Sequence, residues 1–418
     1  MNIYFSGLGG VGIGPLAEIA HDAGFDVIGS DLEESLMTQE LRQKDINVNI
    51  GQDGSFLKDC YSKQPIDWFV YTSALPAHHP ELLLAQKLGI HTAKRDELLA
   101  YIIKEKSLKL IAIAGTHGKT TTTGMMIWAL KQLDIPVSYS IGTTISFGPS
   151  GYFDKNSQYF VYECDEFDKN FLQFSPFLSL ITSVDYDHPD TYPTPESYLD
   201  AFKQFGDSSQ QTICWDDQHS ELFKKGGNVK LSSTDINQNI KLAGIHNRRN
   251  ASLVQAGLEK LGISQSTDDI LSSFPGTSRR FEKLADNLYS DYGHHPVEIA
   301  ATLQLARELS DHIVLVYQPH QNIRQHEIKM DYANQFELAE EIYWLPTYLS
   351  REDPNLQILR PQDLIENITN KNDIKVADFN DELWQAIQTA RYENKLVVCM
   401  GAGKIDGWVR DKIEEKTI

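Results

Sequence analysis

Residues 109–126, KLIAIAGTHGKTTTTGMM, confine this chain more tightly than any other stretch. An apolar run of strand length stops at Gly115, and Gly118-Lys119-Thr120 leads into a threonine-rich segment of helical character. A buried strand, a glycine turn and a helix in that order belong to an α/β fold built on a parallel sheet. The turn would present successive backbone N–H groups from Gly115, Thr116, His117 and Gly118 to phosphate oxygens. Lys119 would meet the terminal phosphates, and the Thr120 hydroxyl would reach a magnesium ion. Thr120, Thr121 and the threonines after them open a helix whose N-terminus faces the same anion. The common phosphate loop, G-x-x-x-x-G-K-[ST], has a glycine where this chain has Ile113, so the turn is of a shorter kind.

The rest of the chain repeats the strand–helix alternation. IYF, FDVIGSD and DWFVYTSA read as buried strands, and IGPLAEIAHDAG and PELLLAQKLG as helices. The polar bridge KEKSLKL precedes the 109–114 strand, and a fresh strand-led start, NLYSDYGHHPVEIA, follows SRRFEKLA. The expected organisation is three α/β domains: residues 1–106 Rossmann-like, 107–283 a central P-loop-type ATPase domain, and 284–418 Rossmann-like again. A length of 418 residues is ample for three cores. The net charge of −20 argues against holding nucleic acid or an anionic membrane by bulk attraction. Four scattered cysteines without a C-x-x-C pair fit a reducing compartment. Met1 leads directly into a strand, and no apolar run approaches membrane-spanning length, so a cytoplasmic location is expected. Nothing in the sequence fixes an oligomeric state.

Gly7, Gly9 and Gly12 in IYFSGLGGVGIGPLAEIA have G-x-G-x-x-G spacing between a predicted strand and helix. Asp31 closes the next strand, where an acid meets ribose hydroxyls. Taken alone, this fingerprint admits a nicotinamide dinucleotide, another nucleoside diphosphate, or a glycine turn of purely structural use. The acidic segment YECDEFDKNFL carries Glu163, Asp165, Glu166 and Asp168 at short spacing. By itself it reads as a solvated loop, and beside a phosphate turn it reads as a cation site.

GTHGKTTTT resembles the phosphate loop of the Mur ligases, ATP-dependent enzymes that add amino acids to the bacterial cell-wall precursor. Further segments carry the same resemblance: YECDEFDKNFL, ITSVDYDHPDTY, GIHNRRNA, FPGTSRRFEKL, SDYGHHPVEI and YQPHQNIR. It implies Mg2+ on Thr120, Glu163 and His188, with Asp187 and Asp190 orienting the histidine. ATP would lie on Gly115–Thr121, Asn247, Arg280, Asp291 and His295, with His294 alongside. Lys119, His188 and Arg280 would be catalytic. Gly9, Gly10, Val11, Gly12, Asp31, Ser73, Ala74, His117 and Glu166 would hold the UDP-sugar, and His320 and Arg324 the incoming amino acid. The implied reaction joins L-alanine to the lactyl carboxylate of UDP-N-acetylmuramate through an acyl phosphate, in peptidoglycan precursor synthesis.

Three features depart from the family pattern. Gln321 stands where an arginine is usual, Cys164 where alanine is usual, and the connection before GIHNRRNA is short for a central domain of this kind. Alternatives therefore stand beside the main reading. One is a recycling ligase that attaches a murein peptide to the same sugar. Another is an NAD-dependent dehydrogenase built on the first fingerprint, which leaves the second turn unexplained. A third is a nucleotide binder without turnover.

Overall fold

The computed structural model describes residues 1–72, 75–188, 191–216, 219–350 and 352–415. The first sheet is formed by β1 (Asn2–Ser6), β2 (Asp26–Asp31), β3 (Asn47–Ile50), β4 (Trp68–Tyr71) and β5 (His91–Lys94), all parallel, in the order β3-β2-β1-β4-β5. Strands buried on both faces need continuous apolar runs, which IYF and WFVY supply. The order reverses between β1 and β4, the place where open α/β sheets leave a ligand crevice at the carboxyl ends of their strands.

The second sheet contains β6 (Lys109–Ala114), β7 (Val137–Ser140), β8 (Gly151–Tyr152), β9 (Tyr159–Glu163), β10 (Leu178–Ile181), β11 (Gln211–Trp215) and β12 (Val229–Leu231), ordered β12-β11-β10-β6-β9-β7-β8. Only the β7–β8 pair is antiparallel. The central strand, β6, is buried from Leu110 to Ala114. Gly115 follows at φ +137°, and Gly118 at φ +86° caps the helix Lys119–Gln132. Both values lie where a side chain is strained, which is why glycine occupies the two corners. The helix Arg95–Glu105 turns Leu98, Leu99 and Ile102 into a core that also contains Phe160, Tyr162, Phe171 and Phe174. One apolar cluster thus serves both sheets, and residues 1–236 with 250–274 form a single compact unit.

The second compact unit comprises residues 237–249 and 275–418. Its six-stranded sheet runs β13-β14-β18-β15-β16-β17, from β13 (Glu282–Ala285), β14 (Leu288–Asp291), β15 (Ile313–Tyr317), β16 (Glu341–Trp344), β17 (Ile374–Val376) and β18 (Leu396–Met400). Only β13 is antiparallel to its neighbour. Tyr317, Tyr332, Phe336 and Trp344 pack edge-on or tilted in its core, with ring centroids 5.0–6.2 Å apart. The expected three-sheet α/β architecture with Rossmann-like first and last sheets is present. Among the described residues, no helix is long and apolar enough to cross a membrane.

Candidate active site

The second glycine turn is braced by the segment that follows β10 and by the helix Pro195–Ser208. The Thr116 N–H donates to the Ser183 carbonyl at 3.1 Å, and the His117 N–H to Ser183 Oγ at 3.0 Å. Thr116 Oγ1 donates to the Asp185 carbonyl at 2.7 Å and lies 2.7 Å from the Tyr198 hydroxyl. The N–H groups of Gly118 and Lys119 have no protein partner among the described residues and remain for an anion. His117 Nε2 lies 3.6 Å from an Asp185 oxygen.

Lys119 is turned inward. Its ammonium donates to the Gly115 carbonyl at 2.6 Å and to both oxygens of Glu166 at 3.0 and 2.8 Å. Burial alone pulls the lysine's pKa down. The carboxylates of Glu166, Asp165 and Glu163 more than reverse that, so the cation is held above the usual range. Glu166 is fully buried, and that burial pushes its carboxyl up against the pull of Lys119.

Thr120 Oγ1 donates to Glu163 Oε1 at 2.6 Å, while the Gly142 N–H holds Oε2 at 2.9 Å. Two of the expected magnesium ligands are therefore already joined. The third, His188, sits at φ +58°, with Nε2 3.8 Å from Glu166 and 3.9 Å from Asp187. Ligand atoms of His188, Asp165 and Glu166 lie within 4.8 Å of one another. Of the three expected ligands this group includes only His188, and its two carboxylates and imidazole in so small a volume suit a dication. Asp190 lies outside the described residues.

At the first turn, Asp31 accepts from the Gly9 N–H at 2.6 Å and from the Glu33 N–H at 3.1 Å. Its carboxylate thus braces the turn and offers ribose only its remaining lone pairs. Gly10 donates to Gly7 at 3.0 Å, whereas the Val11 and Gly12 N–H groups have no partner among the described residues. Ser73 and Ala74 lie outside the described residues. Beneath the turn, buried Glu81 accepts from the hydroxyls of Tyr4 (2.6 Å), Ser6 (2.7 Å) and Ser30 (2.8 Å), fixing the ends of β1 and β2.

The remaining predicted residues occupy the second compact unit. Asn247 donates to the Ala243 carbonyl at 3.0 Å. Asp291 is buried and accepts from the N–H groups of Phe281 (2.8 Å) and Gly293 (2.7 Å), and burial raises its pKa. The Arg280 guanidinium lies 5.0 Å from the centre of the Tyr292 ring. His295 caps the helix Pro296–Leu309. The His320 ring stacks on Tyr348 at 5.6 Å and meets the edge of His294 at 5.6 Å. Both histidines are depressed to about 4, first by burial and with the nearby Arg324 charge contributing. They are neutral at ordinary pH, and the charges of Arg324 and, at His320, Arg279 act beside them. Gln321 adopts φ +59° just before the helix Asn322–Ile328.

Three successive segments match domains described as Mur ligase family, catalytic domain (2–107), Mur ligase middle domain (113–260), and Mur ligase, glutamate ligase domain (279–403). A UDP-N-acetylmuramate–L-alanine ligase from Carboxydothermus hydrogenoformans is 32% identical over 97% of this chain and 94% of its own. The chain belongs to the Mur ligase family. The enzyme of the same description from Porphyromonas gingivalis is also 32% identical, over 97% and 96%. The fold of the UDP-N-acetylmuramate–alanine ligase from Thermotoga maritima matches with a TM-score of 0.76 at 24% identity, covering 100% and 99% of the two chains. A murein peptide ligase from Psychrobacter arcticus gives 0.64 at 23%, over 99% and 98%.

Within this Mur ligase, sequence reasoning overlooked the inward pairing of Lys119 with Glu166. Asp165, named with its neighbours as a cation site, lies in the cation-suited cluster, although nothing in the spacing of YECDEFD separates it from Asp168. Asp168 instead bonds outward to Lys94 at 2.5 Å.

Proposed function

We propose that this chain is an ATP-dependent amide ligase that joins L-alanine to the lactyl carboxylate of UDP-N-acetylmuramate in peptidoglycan precursor synthesis, acting in the cytoplasm. The observation that carries the reading is the near-full-length match at 32% identity to ligases of that description. Lys119, Thr120 and Glu163, gathered at the end of β6, support it.

A carboxylate does not condense with an amine in water unless it is activated, and phosphorylation makes it an acyl phosphate that the amine can attack. Lys119 neutralises charge on the phosphoryl group in transfer, with Arg280 as a second, fork-shaped donor. The N–H groups of Gly118 and Lys119 hold phosphate oxygens in place. Thr120, Glu163 and His188 hold Mg2+, which supplies charge neutralisation at the phosphates. His320 and Arg324 face the amino acid, the arginine pairing with its carboxylate, Asn247 and Asp291 hold the adenine and ribose of ATP, and His294 and His295 stand beside its phosphates. Orienting two reactants accounts for on the order of 7–11 kcal/mol of barrier lowering.

Phosphate release measured with UDP-N-acetylmuramate and a panel of L-alanine, glycine, L-serine and a murein tripeptide tests the reading. Release with L-alanine is expected. Release with the tripeptide alone would assign the chain to peptide recycling, and none with any acceptor would overturn ligation.

A further inference from the structure

Arg95 opens the helix Arg95–Glu105 just after β5, more than eighty residues from the first glycine turn, and belongs to no recognised motif of the chain. Its guanidinium is nevertheless packed onto that turn. A Cβ built on Gly12 would lie 2.7 Å from Nη1 and 3.3 Å from Cδ of Arg95.

Anchoring is confined to one edge of the guanidinium. Nε donates to Asp96 at 3.3 Å, Nη2 donates to both Asp96 oxygens at 3.2 Å, and Nη2 also reaches the Tyr162 hydroxyl at 3.4 Å. Tyr162 in turn donates to Asp96. Asp96 and Tyr162 are both buried, at 4% exposure each. They hold the fork in one orientation, so little side-chain freedom remains to be lost on binding. Nη1 on the opposite edge donates to no group among the described residues, and a third of the side chain is exposed. The two N–H groups of the turn that lack partners, those of Val11 and Gly12, adjoin it.

We infer that Arg95 binds the phosphate of the nucleoside-diphosphate sugar distal to the nucleoside, closing over the first glycine turn a cradle that the turn's amides only half form. The inference rests on the ligase reading, for which that turn holds a UDP-sugar. A turn whose Gly9 amide is spent on Asp31 is short of donors for a diphosphate. A guanidinium held by its far edge supplies two N–H groups in a fixed plane and a charge that water cannot replace. Asp96 and Tyr162 are positioning residues for it.

Calorimetric titration of the full chain with UMP, UDP and UDP-N-acetylmuramate, without ATP, tests this. Arg95→Met is expected to weaken UDP and UDP-N-acetylmuramate about tenfold or more, as for a lost charge-assisted hydrogen bond, and to leave UMP within about twofold. Arg95→Lys, which keeps charge but not the fork, should fall between. Tyr162→Phe should lower the UDP-to-UMP affinity ratio with a smaller change. An unchanged ratio in Arg95→Met would overturn the assignment, as would equal weakening of all three ligands. Loss confined to UDP-N-acetylmuramate would overturn it by giving the guanidinium to the sugar acid. A wild-type chain that binds neither UDP nor UDP-N-acetylmuramate would overturn the ligase reading itself, a distinct result.

Discussion

The chain contains two strand–glycine–helix turns of similar outline, and they acquire their charge in different ways. The second turn carries its cation within the motif: Lys119 is the residue after Gly118, and its ammonium folds back to the Gly115 carbonyl. The first turn has no cation in its own segment and borrows Arg95 from another helix. Their glycines differ as well. A Cβ on Gly115 would lie 2.2 Å from Thr182 Oγ1 and 2.8 Å from the Ser183 backbone, at a positive φ besides. A Cβ on Gly12 would meet only the long side chain of Arg95. The second turn is closed by the backbone that follows β10, and the first by a single side chain anchored from another helix. One was therefore readable as a phosphate loop from a dozen residues, and the other only as a fingerprint with several meanings.

That contrast can be broken experimentally. The largest effect is expected from Lys119→Ala, which should lower turnover by on the order of 10³-fold or more while UDP-N-acetylmuramate affinity stays nearly unchanged. Equal loss of both, measured by phosphate release and calorimetry, would mean that the two turns are not separate devices. Next comes Gly115→Ala, expected to lose several kcal/mol of stability through backbone strain and overlap, seen as a lowered urea midpoint. Gly12→Ala should cost less stability than Gly115→Ala, because the new methyl meets a side chain and not backbone, and should raise the KM for the UDP-sugar roughly several-fold by pushing the Arg95 guanidinium off the turn. Comparable destabilisation by both alanines would erase the distinction between closure by backbone and closure by a side chain.

The smallest effect is a pH dependence that separates the second turn from the carboxy-terminal unit. The half-buried His246 and His294 are held near 4 by the burial they do have, against an ordinary value of 6.5. The unfolded chain binds protons in that window and the folded unit does not, so stability present above about pH 6.5 is lost as pH falls towards 4. Glu166, raised by burial, acts oppositely, its contribution growing as pH falls and disappearing as pH rises through its folded pKa. Hydrogen exchange should therefore show β15 losing protection on acidification before β6. Simultaneous loss would refute the asymmetry.

Much of the fold was legible because its evidence is local. Apolar runs such as LIAIA and IYF, bounded by glycine turns, read as buried strands, and glycines ended β6 where the spacing required. The strand ends carrying Glu163 and Asp291 followed from the same alternation. What escaped depends on contacts distant in sequence. Arg95 looks like the first turn of an amphipathic helix, and only the packing of that helix against Tyr162 reveals which way its guanidinium faces. Glu166 is one of four acids in YECDEFD, and only its complete burial distinguishes it as the partner of Lys119. The shared apolar cluster around Leu99 and Phe174 is equally invisible to periodicity, which shows that a helix has a buried face without showing what covers it.

The buried bond between Lys119 and Glu166 also sets a cost for any anion that would approach the lysine. The lysine already has a counterion that water cannot screen, so a stray inorganic anion must displace a carboxylate and leave it stranded in a dry, negative neighbourhood. On the ligase reading, Thr120, Glu163 and His188 would hold a nucleotide's Mg2+ beside these carboxylates, where it would supply the positive charge they lose if Lys119 served the phosphates.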